Sequence, residues 1–200
     1  MKAIEILMDE HRRIEQVLGS LETFAFEVAA GRAAERPLLA DYASFFREFA
    51  DAAHHAKEED LLFARLLERG FSRENGPVAV MLYEHKAGRA HVSALREVGR
   101  ASGPIGAVET QLVLEHASAF VPLLRTHILK EDRILYPMAE RFLSPAEFEA
   151  MAGAFLERDE RLRQDGSAER LQALATRLVE CFRPDPVRMA SASQMAACAG

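Results

Sequence analysis

The chain has 200 residues, of which 49% are apolar and 28% charged, with a formal net charge of -6. That is enough for one domain with a substantial core and marginal for two. The mild acidity, without any basic block, argues against nucleic acid as the main partner. No apolar run approaches the roughly 20 residues of a membrane helix, so no membrane partner is expected either.

Trp is absent, Phe occurs 12 times, and Ala and Leu are abundant, a mixture that favours helices over strands. The two cysteines, Cys181 and Cys198, give neither a disulfide framework nor a CxxC knuckle. The N-terminus alternates charged and apolar residues and carries no signal-peptide core. A reducing cytoplasm is the expected location.

Residues 3 to about 30 predict a first helix, because Ile4, Leu7, Met8, His11, Ile14, Leu18, Leu21 and Phe24 follow helical spacing. His11 lies on that apolar stripe, where an imidazole without a partner is costly. A second helix is expected from Pro37 or Leu38 to about Arg69. Its stripe of Tyr42, Phe45, Phe46, Phe49 and Ala53 is followed by His54, His55, Glu58 and Glu59, then by Leu61, Leu62, Phe63, Leu66 and Leu67. Gly70 suits the end of that helix.

Gly76 and Pro77 mark the start of a third helix, with Val78, Met81, Leu82, His85, Val92 and Leu95 facing inward. Gly88 sits within it, at about 1 kcal/mol against Ala unless close packing requires it. The fourth helix runs from about Ala107 to Phe142. Pro122 predicts a kink or a break in it, and Pro137 a second bend or a change of packing. Ser144, Pro145 and Glu147 read as a capping box opening a fifth helix that extends to about Arg163. After a break at 165–167, a sixth helix is expected from Ala168 to Phe182.

These elements predict an all-α, up-down-up-down four-helix bundle over residues 1–143. Two short C-terminal helices over 144–183 are expected to pack on the bundle, and 184–200 to form a disordered tail.

Two segments repeat one another. His127, Lys130, Glu131, Asp132, Ile134, Leu135 and Tyr136 follow the same order as His54, Lys57, Glu58, Glu59, Leu61, Leu62 and Phe63. In each, His and Glu stand four positions apart, about 40° of rotation and about 6 Å of rise on an α-helix, so both leave one face. The remaining long helices add His11 and His85 at comparable depth.

One histidine on an apolar face is usually a satisfied core residue, and an exposed i,i+4 pair is worth a few tenths of a kcal/mol. Around His127 and Glu131, however, the same face holds Phe120, Leu124, Ile134, Leu135 and Met138. Burying a carboxylate there without a metal or a cation is expensive. A metal site built from His11, His54, Glu58, His85, His127 and Glu131 is therefore expected. Matching the repeats selects His54 and Glu58, with His55 and Glu59 as the alternative pair. His91 lies about 240° around the helix from His85 and His116 about three turns from His127, so neither joins the set. Glu15, four after His11, reads as an orienting partner or a surface residue.

Imidazoles and carboxylates without a thiolate fit iron, manganese or zinc. Two glutamates from different helices suit two bridged metals. Four His and two Glu fill roughly eight of about twelve positions, leaving room for a small molecule.

The order of His11, His54 with Glu58, His85, and His127 with Glu131 resembles the hemerythrin-like (HHE cation-binding) family, bacterial branch, over about residues 1–143. The phrases Glu10-His11-Arg-Arg-Ile-Glu15 and Met81-Leu-Tyr-Glu-His85-Lys-Ala-Gly-Arg carry the likeness along with the two repeats. The resemblance implies a four-helix bundle with an oxo- or hydroxo-bridged centre of two iron ions, for which zinc or manganese are possible substitutes. It departs at Arg89, where respiratory members carry a further His, which leaves the five-His set incomplete; Tyr83, Glu84 or water are the candidates to fill the gap.

The expected function is a non-haem di-iron protein that binds or senses dioxygen, nitric oxide or peroxide, or handles iron and redox stress. The alternative is an enzyme with peroxide-consuming or ferroxidase-type activity. The ferritin-like Glu-x-x-His order is reversed here, which places the binding protein first. No catalytic residue is assigned. A signalling role requires a protein partner, and the chain is expected as a monomer or homodimer.

Overall fold

Four long helices form the bundle: α1 (Ala3–Ala29), α2 (residues 36–68), α3 (Gly76–Arg100) and α4 (residues 107–142). Two further helices follow, α5 (Pro145–Gln164) and α6 (Ser167–Cys181). The computed structural model describes residues 3–32 and 35–189, and every regular element among them is helical. Short connections make consecutive helices antiparallel neighbours, with α2 on α3, α3 on α4 and α4 back on α1. The apolar stripes read from the sequence face the centre, as the burial of Leu7, Ile14, Leu18, Leu21 and Phe24 on α1 shows.

Helix ends follow local chemistry. The backbone N–H of Ser144 donates to Glu147 Oε2 at 2.8 Å and the Glu147 N–H donates back to Ser144 Oγ, which closes the capping box over α5. Pro122 lies inside α4 without interrupting it. Pro137 lies in the first turn of the final α-helical stretch of α4 (Tyr136–Phe142), just after a π-helical turn over Glu131–Leu135. Proline has no N–H to donate and its ring clashes with the preceding turn, and the wider turn relieves both. α2 has π-helical winding as well, over Phe46–His55 and Glu58–Leu62. The segments Glu58–Leu62 and Glu131–Leu135 occupy the same register of the two sequence repeats.

Close approach holds the far end together. A Cβ on Gly99 of α3 would lie 2.7 Å from the Ala40 backbone nitrogen of α2, so only glycine fits. Beside it the buried Arg36 donates from Nη1 to Val98 O at 2.6 Å and from Nη2 to Pro104 O at 2.7 Å. Its Nη2 also reaches Glu109 Oε2 at 2.5 Å.

α6 lies across the seam between α1 and α2, and α5 runs beside α1 and packs on α6. Tyr42 of α2 donates to Ser20 Oγ of α1 at 2.6 Å, and Ser20 donates to the Leu178 carbonyl of α6 at 2.8 Å. Of the expected tail, 184–189 are described: Arg188 stacks over Phe26 of α1 at 3.6 Å. Residues 190–200 lie outside the described part.

The interior is divided. One apolar cluster holds Leu18, Phe24, Tyr42, Phe45, Leu95, Val121 and Leu178; a second holds Leu7, Phe63, Leu66, Met81, Tyr136 and Phe155. His11, His54, His55, Glu58, His85, His127 and Glu131, all buried, fill the layer between them.

Candidate metal centre

Each bundle helix sends side chains into this layer from a position between two apolar stretches. Two groups result. One ligand atom from each of His55, Glu58, His85 and His127 lies within 4.8 Å of the others, and the same holds for His11, His54, Glu58 and Glu131. The carboxylates span the groups. Glu58 Oε2 is 3.6 Å from His54 Nε2 and 3.6 Å from His85 Nε2. Glu131 Oε2 is 3.4 Å from His11 Nε2 and 3.2 Å from His127 Nε2. His55 stacks on His85 at 3.7 Å between ring centroids.

The outward ring nitrogens each have a carboxylate beside them, which leaves the inward ones to face the layer. Nδ1 donates to Asp132 at 2.7 Å in His11, to Glu10 at 2.9 Å in His54, to Glu59 at 2.7 Å in His85 and to Glu84 at 3.0 Å in His127. His55 Nδ1 faces Asp51 at 3.4 Å. A carboxylate on Nδ1 fixes both tautomer and ring orientation and leaves Nε2 free to ligate. Cations hold the carboxylates in turn: Lys57 on Glu10, Lys130 on Glu84, Arg12 on Asp132, and Arg89 on Glu59 and Asp51.

These contacts obey a pseudo-twofold relation. Glu10 and His11 of α1 stand to α2 as Glu84 and His85 of α3 stand to α4. Tyr136 stacks on His11 at 5.6 Å and Phe63 on His85 at 5.9 Å. Two differences break the symmetry. His55 has Ile128 as its counterpart, so one group has three imidazoles and the other two. Tyr136 carries a hydroxyl where Phe63 has none, and donates it to Glu58 Oε1 at 2.6 Å within 3.4 Å of His11 Nε2.

Electrostatics test whether cations fit. Among the described residues, Glu58 Oε2 and both Glu131 oxygens are buried side-chain atoms without a hydrogen-bond partner. Burial, and then the charge of Glu131, push the Glu58 carboxyl well above its ordinary range. Burial also works against a charged Glu131, but His127 and His11 outweigh it and hold its pKa well below. Burial likewise disfavours a charged His127, yet Glu131 and Glu84 raise it to about 9. His54 is lowered to about 4, chiefly by burial, and burial with the neighbouring His85 holds His55 well below its ordinary range. Without a cation, protons must balance these carboxylates; a divalent ion replaces them and satisfies the unpartnered oxygens. The donor set, imidazole nitrogen and carboxylate oxygen, suits iron, manganese or zinc.

All six residues expected from the sequence lie in this layer. His55, treated as an alternative to His54, lies there with it; Glu59 faces outward to His85 Nδ1 and Arg89. His55 of α2 puts a fifth imidazole in the layer, while Arg89 of α3 pairs with Asp51 and Glu59. Of the two side chains considered for that place, Tyr83 is 72% exposed and Glu84 holds His127 from outside. Sequence reasoning missed Tyr136 as a polar neighbour and the outer carboxylates Glu10, Asp51 and Asp132. The Glu-His pairs at 10–11 and 84–85 were the available signal. Glu15 pairs with Arg12 at 2.8 Å rather than with an imidazole. His91 and His116 pair with each other at 3.1 Å, outside the layer.

Uncharacterized proteins of Mycobacterium bovis and Mycobacterium tuberculosis are similar to this chain, each 24% identical over 166 residues, which are 83% of this chain and 64% of theirs. The chain thus spans less than two thirds of the length of these relatives. No solved structure matches it. No helix among the described residues is long and apolar enough to cross a membrane. The hemerythrin HHE cation binding domain matches residues 2–139, the stretch that supplies every side chain of the buried His/Glu layer, and the chain belongs to that family.

Proposed function

We propose that the layer holds a dinuclear non-haem iron centre that binds or senses a small molecule such as dioxygen, nitric oxide or peroxide. In this reading His55, His85 and His127 serve one ion, His11 and His54 the other, and Glu58 and Glu131 are shared. The supporting observation is that five inward imidazoles surround two buried carboxylates of which three oxygens lack any hydrogen bond. A bound iron pair supplies Lewis acidity and redox chemistry, with manganese or zinc as substitutes.

The chain's own residues then have definite tasks. Asp132, Glu10, Glu59 and Glu84 hold the Nδ1 protons and aim Nε2 inward. The two apolar clusters flank the layer and keep Glu58 and Glu131 out of contact with solvent. Tyr136 keeps its phenolic proton and donates it in a hydrogen bond to Glu58 Oε1 beside His11, on the side with fewer imidazoles. The free, exposed Cys181 suits a reducing compartment.

Metal analysis of the natively expressed protein, with absorption spectra before and after reduction, tests the reading. About two irons per chain and a spectral change on adding nitric oxide are expected. One tight zinc and no iron would defeat it. Tyr136 favours a second reading, a di-iron enzyme with peroxide-consuming or ferroxidase-type activity, because a buried phenol beside the centre is a positioned proton source. Under it, Tyr136→Phe keeps its iron but loses turnover; turnover unchanged in that variant counts against it.

A further inference from the structure

A half-open cleft of about 230 Å³ enters the bundle between α2, α3 and α4 and ends on His55 and His127. A water molecule's share of liquid volume is about 30 Å³, so the cleft is several times larger than a diatomic gas needs. Its floor is apolar, formed largely by Phe46, Val92, Phe120 and Leu124. Gly88 lines the cleft, and a Cβ there would meet Phe120 Cε2 in ordinary contact at 3.4 Å, so the glycine adds a methyl group's room.

The charges at the mouth are not balanced. Asp51 is paired with Arg89 at 2.7 Å, and Glu84 is held by His127 and Lys130. Arg89 is committed to Asp51 and Glu59, and Arg47 reaches Glu48 only at 3.3 Å. No carboxylate partner is found for Arg96 among the described residues, and Arg96 lines the cleft. An apolar floor under an uncompensated guanidinium matches a ligand with an apolar body and one negative charge.

We infer that this cleft binds a small organic monoanion, a carboxylate carried on a short alkyl chain or a single ring, with its body over Phe46 and Phe120 and its charge on Arg96. Seated there, it touches the imidazole side of His55 and His127. That second consequence rests on the metal reading above; the binding itself does not.

Calorimetric titration of octanoate into the full chain, metal-loaded and metal-free, tests the inference, with octanol as the uncharged control. Saturable one-to-one binding is expected. It should weaken roughly tenfold in Arg96→Gln, as for loss of one charge-assisted contact, and disappear in Ser93→Trp, which fills the mouth from an exposed wall position. Octanol should bind roughly tenfold more weakly than octanoate. Absence of saturable binding, or binding indifferent to both variants, overturns the site; equal affinity for octanol overturns the assignment of an anion. Binding by a chain that takes up no iron leaves the cleft standing and removes the metal reading. Two irons without octanoate binding does the reverse.

Discussion

His55 and Tyr136 are the residues that make the two halves of the centre unequal, and their substitution separates the halves. His55→Ala removes an imidazole from the three-histidine group while leaving His11, His54 and both carboxylates in place. Its iron content should fall from about two per chain toward about one. Glu59→Gln should keep both ions but bind them roughly 10 to 100-fold more weakly, because Glu59 orients His85 without touching the layer. Competition against a graded series of chelators distinguishes the two variants. Equal iron content and affinity in His55→Ala and the wild type would exclude His55 as a ligand.

The His55 case shows how the sequence can mislead at this scale. Matching the repeats sets His54 against His127 and His55 against Ile128, so the two adjacent histidines read as competitors. Helix geometry makes no such demand. Glu58 is four positions from His54 and three from His55, and both spacings bring side chains together. The outer carboxylates were harder to read, because a Glu before a His on one helix gains its meaning only when another helix arrives beside it.

At the scale of elements, bounds and inward faces were legible because apolar period, glycine and proline agree, as at Gly76 with Pro77 and at Ser144 with Glu147. The π-helical winding was signalled only by Pro137, and nothing local announces it in α2. How α5 attaches was not legible at all. Lys57, fully buried, pairs with Glu10 of α1 and, at 2.5 Å, with Asp159 of α5. Arg158 donates to the Ala56 carbonyl at 2.8 Å. These contacts clamp α5 to the turn that presents His54 and Glu58. Asp159→Asn removes one of two anions facing a buried ammonium and should destabilise the chain by about 1–3 kcal/mol, read as a lower urea midpoint at unchanged slope. A midpoint equal to wild type would mean that Lys57 is balanced by Glu10 alone.

The cap of α5 gives a pH-dependent prediction. The Ser144 backbone N–H, then Arg69 and the Ser144 hydroxyl, lower the Glu147 pKa from 4.5 to about 2. Because the folded value is the lower one, the stabilisation is complete above about pH 4.5 and is lost as the pH falls toward about 2. The difference in denaturant midpoint between wild type and Glu147→Gln should therefore be constant near neutrality and shrink across that window. A difference that grows on acidification contradicts the cap.

For the whole molecule, the decisive feature is a charged layer between two apolar clusters. A core of this kind is stable only if the layer is neutralised from within, because solvent does not reach Glu58 or Glu131. Protons do this incompletely: burial and Glu131 push Glu58 toward its protonated form while Glu131 and Glu84 favour a charged His127, and Glu58 Oε2 still lacks a partner. Metal ions do it directly, so metal occupancy and global stability are linked. A site held at one hundred times its dissociation constant adds about 2.7 kcal/mol, and each kcal/mol is worth roughly 2–4 °C in a chain of this size. Two occupied sites should then raise the melting temperature by roughly 10–20 °C over the chelated protein. Glu131→Gln supplies the internal control. It deletes the buried charge that the ions neutralise, so its metal-free form should melt no lower than metal-free wild type, and iron should shift it far less. Identical melting of the wild type with and without a chelator would show that the layer is balanced without metal, and the roles given to all seven side chains would have to be reassigned.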